Sequence, residues 1–386
     1  MGRVKVAFII SHPIQYYVPI LTGLVERGNI DLKVFYTWGE QSINKFDPGF
    51  NRVVEWDVPL LEGYSYEFLN NTAQDPGTHH FNGIVNPDII KRIEDYNPDK
   101  IVVFGWSFKS HLAVLKYFKG KVPIYFRGDS HLLTKQSTFK NLIRRIYLSW
   151  IYRNVDHPIA VGTNNKEYYK WVGINEKNIF FAPHAINESR FVLYPDELKQ
   201  KVVDFKSELN IPENHVVFLY TGKFEYRKNL QTLIQAKLNL KDQPCTLLMV
   251  GNGPDEEMLK KMSSSDHNIR FVGFMNQSQM PMVYRLADVF VLPSVSETWG
   301  LGINESMNCG LAIIASDKVG SAVDLITNNG YIFEAGNSDM LSAKMKYLIQ
   351  NNNILMEMKE NSINNIKDWS INKLVVNFEN ALLKNV

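Results

Sequence analysis

Two series of short, apolar, β-branched runs separated by helix-like stretches most constrain what this chain can fold into. The first series is 4–10 (VKVAFII), 31–36, 100–104, 122–126, 157–161 and 178–182; the second is 215–220, 246–250, 269–272, 288–292 and 311–315. Runs that are apolar at nearly every position, not at alternate ones, suit parallel strands covered on both faces by crossover helices. Two such series within 386 residues predict two doubly wound α/β domains. The stretch 183–197 (PHAINESRFVLYPDE) mixes proline, asparagine and acids and marks the linker. The domains are expected over 1–187 and 188–369. After Ser338, Met340, Leu341, Met345, Leu348 and Ile349 recur at helical spacing, and Leu374, Val375, Phe378 and Leu382 do so again. The last of these helices, within 370–386, is expected to cross back to the first domain.

With 45% hydrophobic and 21% charged residues, the composition is that of a folded chain. The amino-terminal apolar run stops at His12, far short of the roughly eighteen residues a membrane span needs, so a cytoplasmic protein is expected. Cys245 and Cys309 lack CxxC or Cys/His spacing, which argues against zinc and disulfides. The net charge of +2 hides an asymmetry: residues 1–187 carry 22 basic and 17 acidic side chains, the remainder 20 and 23. Much of the excess lies in 134–153, which holds Lys135, Lys140, Arg144, Arg145 and Arg153 and no acid, interleaved with Leu142, Ile143, Ile146, Tyr147, Trp150 and Ile151. Two readings fit this stretch: an amphipathic helix lying on the anionic inner face of a membrane, or a helix packed on the sheet with a solvated basic face. Nucleic acid is not an expected partner, since no aromatic platform accompanies the charge.

Ligands of doubly wound sheets bind beyond the carboxyl ends of the strands. After 215–220 comes a loop with Gly222, Lys223, Arg227 and Lys228, suited to a phosphate or diphosphate, although a solvated helix start would look the same. After 246–250, Gly251-Asn252-Gly253-Pro254 is not a dinucleotide fingerprint, because Glu256 stands where a third glycine belongs. After 288–292, Gly300 and Gly302 would let a ligand approach the backbone, and a helix ending near Gly310 would aim its amides into the same space. Glu297 on that loop and Glu305 on the helix are, taken alone, equally compatible with surface carboxylates.

In combination these pieces carry a resemblance. Gly222, Lys223 and Lys228, the Leu-Met-Val-Gly-Asn-Gly-Pro segment, Phe271-Val272-Gly273, Ala287 to Ser294 and the E-x7-E pair Glu297 and Glu305 stand in the order found in the family 4 retaining glycosyltransferases. Tyr220 to Asp324 thus resembles their donor-binding domain, and the implied architecture is GT-B, two Rossmann-like domains facing a cleft. The resemblance implies a nucleoside-diphosphate sugar, UDP- or GDP-linked, as donor. Glu305 would accept the ribose hydroxyls. Glu297 would face the transferred sugar. Lys223 and Lys228, with backbone amides of Trp299, Gly300, Leu301 and Gly302, would neutralise the diphosphate. Backbone groups of Gly273, Phe274 and Met275 would meet the base. No metal and no other cofactor is implied, and the chain contains no Asp-x-Asp pair.

In the first domain, Ser11-His12-Pro13-Ile14-Gln15-Tyr16 resembles members that build bacterial surface polysaccharides. His12 is either a donor or acceptor contact or a helix-capping or packing histidine. A family histidine near the reacting sugar falls on Asp129 or, two residues later, His131, while Arg127 either binds donor or serves structure. Gly105-Trp106-Ser107 and Glu188 are weaker candidates. His79-His80 has no third ligand at metal-site spacing and reads as loop surface. The implied activity is retaining hexosyl transfer to a hydroxyl of a glycan or lipid-linked glycan. The alternatives are a GT-B nucleotide-sugar 2-epimerase and a non-catalytic nucleotide-sugar-binding subunit.

Overall fold

A computed structural model describes residues 2–43, 46–47, 49–50, 52–134 and 137–384. The chain forms two compact units: Met1–Lys45, Pro59–His184 and Ile371–Val386 make the first, Phe46–Val58 and Ala185–Ser370 the second.

The first unit is built on β1 (Val4–Ile10), β2 (Ile30–Tyr36), β3 (Ser65–Phe68), β4 (Lys100–Phe104), β5 (Ile124–Arg127), β6 (His157–Ala160) and β7 (Phe180–Phe181). They form one parallel sheet in the order β3-β2-β1-β4-β5-β6-β7. Val6 to Ile10 and Ile101 to Val103 are buried because helices cover both faces. One of these is the carboxyl-terminal helix Ile371–Leu383: Phe378 stacks on Phe8 at 6.0 Å, and buried Glu379 accepts hydrogen bonds from Arg27 (2.6 Å) and Asn29 (3.0 Å).

The second unit repeats the plan with β8 (Val216–Thr221), β9 (Cys245–Val250), β10 (Ile269–Val272), β11 (Val289–Leu292), β12 (Ala312–Ser316) and β13 (Gly330–Phe333). Their order is β10-β9-β8-β11-β12-β13, all parallel. In both sheets the order reverses between the first and fourth strands, where connections leave in opposite directions and open a crevice at the strand ends.

Several elements differ from the sequence reading. Residues 46–58 do not belong with the first domain; they carry a small antiparallel pair, Phe46–Asp47 with Arg52–Val53, and pack in the second unit. Ser65–Phe68 and Gly330–Phe333 were not expected as strands, since each is short, lies on or next to a sheet edge and is only partly buried. The helix Asn352–Ile366, between Ser338–Gln350 and Ile371–Leu383, was also unread, and Met340 is exposed, not part of the apolar stripe. Cys245 and Cys309 are buried free thiols, pushed up to about 11 and about 12 by burial.

Candidate functional site

In the second unit the crevice lies between the loops that follow β8 and β11. Thr221 closes β8, and its hydroxyl meets the Tyr284 hydroxyl at 2.9 Å. Tyr284 donates to Glu305 Oε2 at 2.7 Å, and Glu305 is only 4% exposed. A buried carboxylate is tolerated only where hydrogen bonds offset its lost hydration, so Tyr284 fixes how Glu305 is presented. Glu305 sits in the helix Leu301–Asn308, whose cap Gly300 takes φ 93°. Packing requires both glycines here: a Cβ on Gly300 would lie 2.7 Å from Leu292 Cδ2, and one on Gly302 2.8 Å from Phe290 Cζ. They let the helix close on β11. Trp299 is likewise structural in its side chain, which donates to Asn304 Oδ1 at 2.9 Å and packs on Trp369 at 5.3 Å.

Both expected diphosphate lysines hold carboxylates. Lys228 is ion-paired with Glu297, so two of the expected catalytic groups touch each other. Lys223 Nζ donates to both oxygens of Asp47, at 2.8 and 2.9 Å. Burial works against ionising Asp47, but Lys223 and the amides of Gly49 and Phe50 outweigh it and hold its carboxyl below the ordinary carboxylate range. Gly222 takes φ 138°, and Gly251 lies so close beneath it that a Cβ there would collide with the Gly222 carbonyl. The loop Gly273, Phe274 and Met275 follows β10. Phe274 is covered by the 46–58 segment: Phe50 at 5.1 Å edge-on, Trp56 at 6.3 Å and the Arg52 guanidinium at 4.7 Å. Asp47, Phe50, Trp56 and Tyr284 carry no motif and were missed; only the acid at Asp47, among apolar neighbours, was a signal.

In the first unit the strand ends enclose a cavity of about 130 Å3 lined by Tyr17, Phe104, Gly105, Arg127, Asp129 and His184, among others. At about 30 Å3 per water, it has room for a few waters or part of a sugar ring. Arg127 is buried and donates to the carbonyls of Ala182 (3.1 Å) and Pro183 (3.4 Å); burial lowers it to about 10, so it stays charged at neutral pH. Burial, with Arg127 adding to it, lowers His184 to about 3, and burial with Asp129 pushes Tyr17 up to about 12. Of the two alternatives for the histidine column, Asp129 lines this cavity. His131 is not among its lining residues and accepts from the Leu133 amide at 3.1 Å. His12 contacts the Ser11 hydroxyl at 2.9 Å and packs edge-on against Trp38 at 5.3 Å, and Glu188 precedes the short helix Ser189–Val192. Buried His111 was missed. Its Nδ1 donates to Gly105 O (2.9 Å) and Phe104 O (3.1 Å), which leaves Nε2 to accept from Thr37 at 2.8 Å. It thereby ties the ends of β2 and β4 together.

The basic stretch forms the helix Thr138–Tyr152, and Lys135 lies outside the described residues. Leu148, Ile151 and Tyr152 are buried, whereas Phe139, Leu142, Ile143, Ile146, Tyr147 and Trp150 are 47–71% exposed. Most of the stripe is therefore not the packed face that one reading expected.

Residues 203–368 match the profile of the family described as glycosyl transferases group 1. This part of the chain is a glycosyl transferases group 1 domain. It contains Lys223, Lys228, Glu297 and Glu305. Alpha-galactosylglucosyldiacylglycerol synthase of Streptococcus pneumoniae is 24% identical over 238 residues, 60% of this chain and 61% of that protein. Alpha-monoglucosyldiacylglycerol synthase of Acholeplasma laidlawii is 26% identical over 213 residues, 53% of this chain and 52% of its own length. The chain thus aligns with 61% and 52% of these curated relatives. Around the group 1 domain the whole fold is GT-B. HepE of Anabaena, solved in complex with UDP and glucose, covers 98% of this chain and 99% of its own with a TM-score of 0.71 at 16% identity.

Proposed function

We propose that this protein is a retaining glycosyltransferase that moves a hexose from a UDP- or GDP-linked donor to a hydroxyl of a glycolipid or lipid-linked glycan. The observation that carries this reading is the crevice of the group 1 domain. It holds a buried, Tyr284-oriented Glu305 and a Lys228–Glu297 pair that links the loop after β8 to the loop after β11. Glu305 accepts the ribose hydroxyls. Lys228 and Lys223 take the diphosphate, and Lys228 then bridges it to Glu297, which holds the sugar hydroxyls beside the anomeric carbon. The bond from that carbon to the diphosphate oxygen breaks while the acceptor oxygen attacks on the same face. The acceptor proton passes to the departing phosphate oxygen. The lysines and helix amides carry the developing charge, so the reading needs no metal and predicts turnover unaffected by chelators.

The glycolipid relatives and the first unit support the acceptor class. The exposed apolar stripe of Thr138–Tyr152, flanked by Lys140, Arg144 and Arg145, suits an anionic membrane surface. Among the described residues no helix is long and apolar enough to cross a membrane.

The test is binding of UDP- and GDP-sugars by calorimetry. Parent protein should bind one of them, and Glu305→Ala should weaken that binding by about 5- to 100-fold, the cost of stranding polar groups. Equal affinity in parent and variant would overturn the reading, as would donor-only interconversion of sugars, the behaviour of an epimerase.

A further inference from the structure

The loop that joins β3 to the next helix of the first unit contains Asp75, His79 and His80, whose ligand atoms all lie within 4.8 Å of one another. Asp75 stands four residues before His79 in sequence, and the fold brings it to the histidine pair as a third partner. His79 Nε2 lies 3.1 Å and His80 Nε2 3.3 Å from the same oxygen, Asp75 Oδ2. Metal-ligand distances of about 2.0–2.2 Å place neighbouring donors about 3.3 Å apart around a tetrahedral ion, and both separations fall near that edge length.

The loop that carries these side chains is tied at its base. Asn71 accepts from the amides of Ala73 (3.1 Å) and Val85 (2.9 Å) and donates to Gly83 O (2.9 Å). Thr72 N donates to Val85 O at 2.8 Å and Gly77 N to Gly83 O at 3.0 Å. The two strands of the loop run so close that a Cβ on Gly83 would collide with the Gly77 carbonyl. The imidazoles pack edge-on with centroids 4.6 Å apart, and His80 Nε2 also lies 3.0 Å from Asp75 O. Ordering of the loop is therefore provided before any ion arrives, which lowers the entropic cost of gathering three ligands.

We propose that Asp75, His79 and His80 form a divalent transition-metal site, with Zn2+ as its best fit by donor set. Two imidazole nitrogens and one carboxylate oxygen suit a borderline-soft ion and leave a fourth corner open. With Asp75 73% and His79 64% exposed, that corner faces solvent and takes water or an exchangeable ligand. Bound metal staples residues 75 to 80 into one turn. Each neutral imidazole presents the Nε2 lone pair to the ion and carries its one N–H proton on Nδ1, a change of tautomer with no net loss of a proton.

The test uses the full chain without an affinity tag, stripped by a chelator and dialysed. Titration with ZnCl2 by calorimetry should show one ion per chain at micromolar affinity, and CoCl2 should give the visible bands of a tetrahedral ion. Asp75→Ala, His79→Ala and His80→Ala should each weaken binding at least about tenfold. His79→Gln, which keeps the side chain's bulk, should do the same with an unchanged circular dichroism spectrum. Hydrogen exchange across 72–85 should slow when Zn2+ is added. Absence of binding, or the same affinity in all four variants, would overturn the proposal.

Discussion

Asp47 and Lys223 show how much a single pair can govern. A lysine meant for a diphosphate is held by a carboxylate at 2.8 Å, so an anionic ligand must displace Asp47 or share the ammonium with it. Under the proposed function, Asp47→Ala should tighten donor binding by several-fold. The change removes a competitor without removing a ligand contact, and titration of the nucleotide sugar at two salt concentrations would measure it. Weaker binding by the variant would instead mean that Asp47 keeps Lys223 in its productive position. Tyr284 and His111 work in the same manner, each holding a group that a ligand or loop depends on. Neither was legible in advance. Tyr284 meets Glu305 across 21 residues, His111 meets Thr37 across 74, and Asp47 meets Lys223 across 176. Local pattern carries no trace of such separations, whereas Glu305 and Lys228 stood out because loop, glycine and helix lie next to them in sequence.

Among the elements, the interior strands were readable because burial on both faces demands unbroken apolar runs, and the runs at 4–10 and 100–104 match the strand limits. Edge strands such as Ser65–Phe68 escape that demand. The helix Leu301–Asn308 illustrates a different limit: its glycines suggested a ligand, yet Gly302 is needed against Phe290. Gly302→Ala should therefore destabilise the protein by about 1–3 kcal/mol through overpacking, read as a shift in the urea midpoint at constant slope. An unchanged midpoint would show that Phe290 yields without cost. The helix Thr138–Tyr152 makes its own prediction. Phe139→Ser with Trp150→Ser should abolish sedimentation with vesicles containing anionic lipid while leaving stability near that of the parent, since both side chains are exposed. Sedimentation equal to that of the parent would remove this face from the acceptor argument.

At the scale of the molecule, two buried histidines set an acid limit. His111 is lowered to about 4 by burial, against two carbonyl hydrogen bonds that favour its charge, and His184 is lowered further. Between the ordinary histidine value and about 4, the unfolded chain takes up a proton that folded His111 refuses. Stability is thus complete above about pH 6.5 and declines as pH falls through this window, by an upper bound of roughly 3 kcal/mol for this residue. Urea titrations between neutral and mildly acidic pH should show that slope, and His111→Gln should flatten it even though it lowers stability at neutral pH. A variant with the parent's slope would assign the acid limit to other groups. The doubling of one strand order in two units was half legible: the interior strands could be read from apolar runs, but the edge strands Ser65–Phe68 and Gly330–Phe333 could not, and the lateral order is set by crossovers that no run reveals.

The chain passes between its two units four times, after residues 45, 58, 184 and 370. A polypeptide emerging from a ribosome therefore cannot complete its first unit until its final helix has been released, long after most of that unit's sheet has been made. A stop codon just before residue 371 would delete no candidate ligand residue, yet it would leave Phe8 and Arg27 without their partners, so premature termination should be read out as degradation of the whole product instead of as selective loss of one domain.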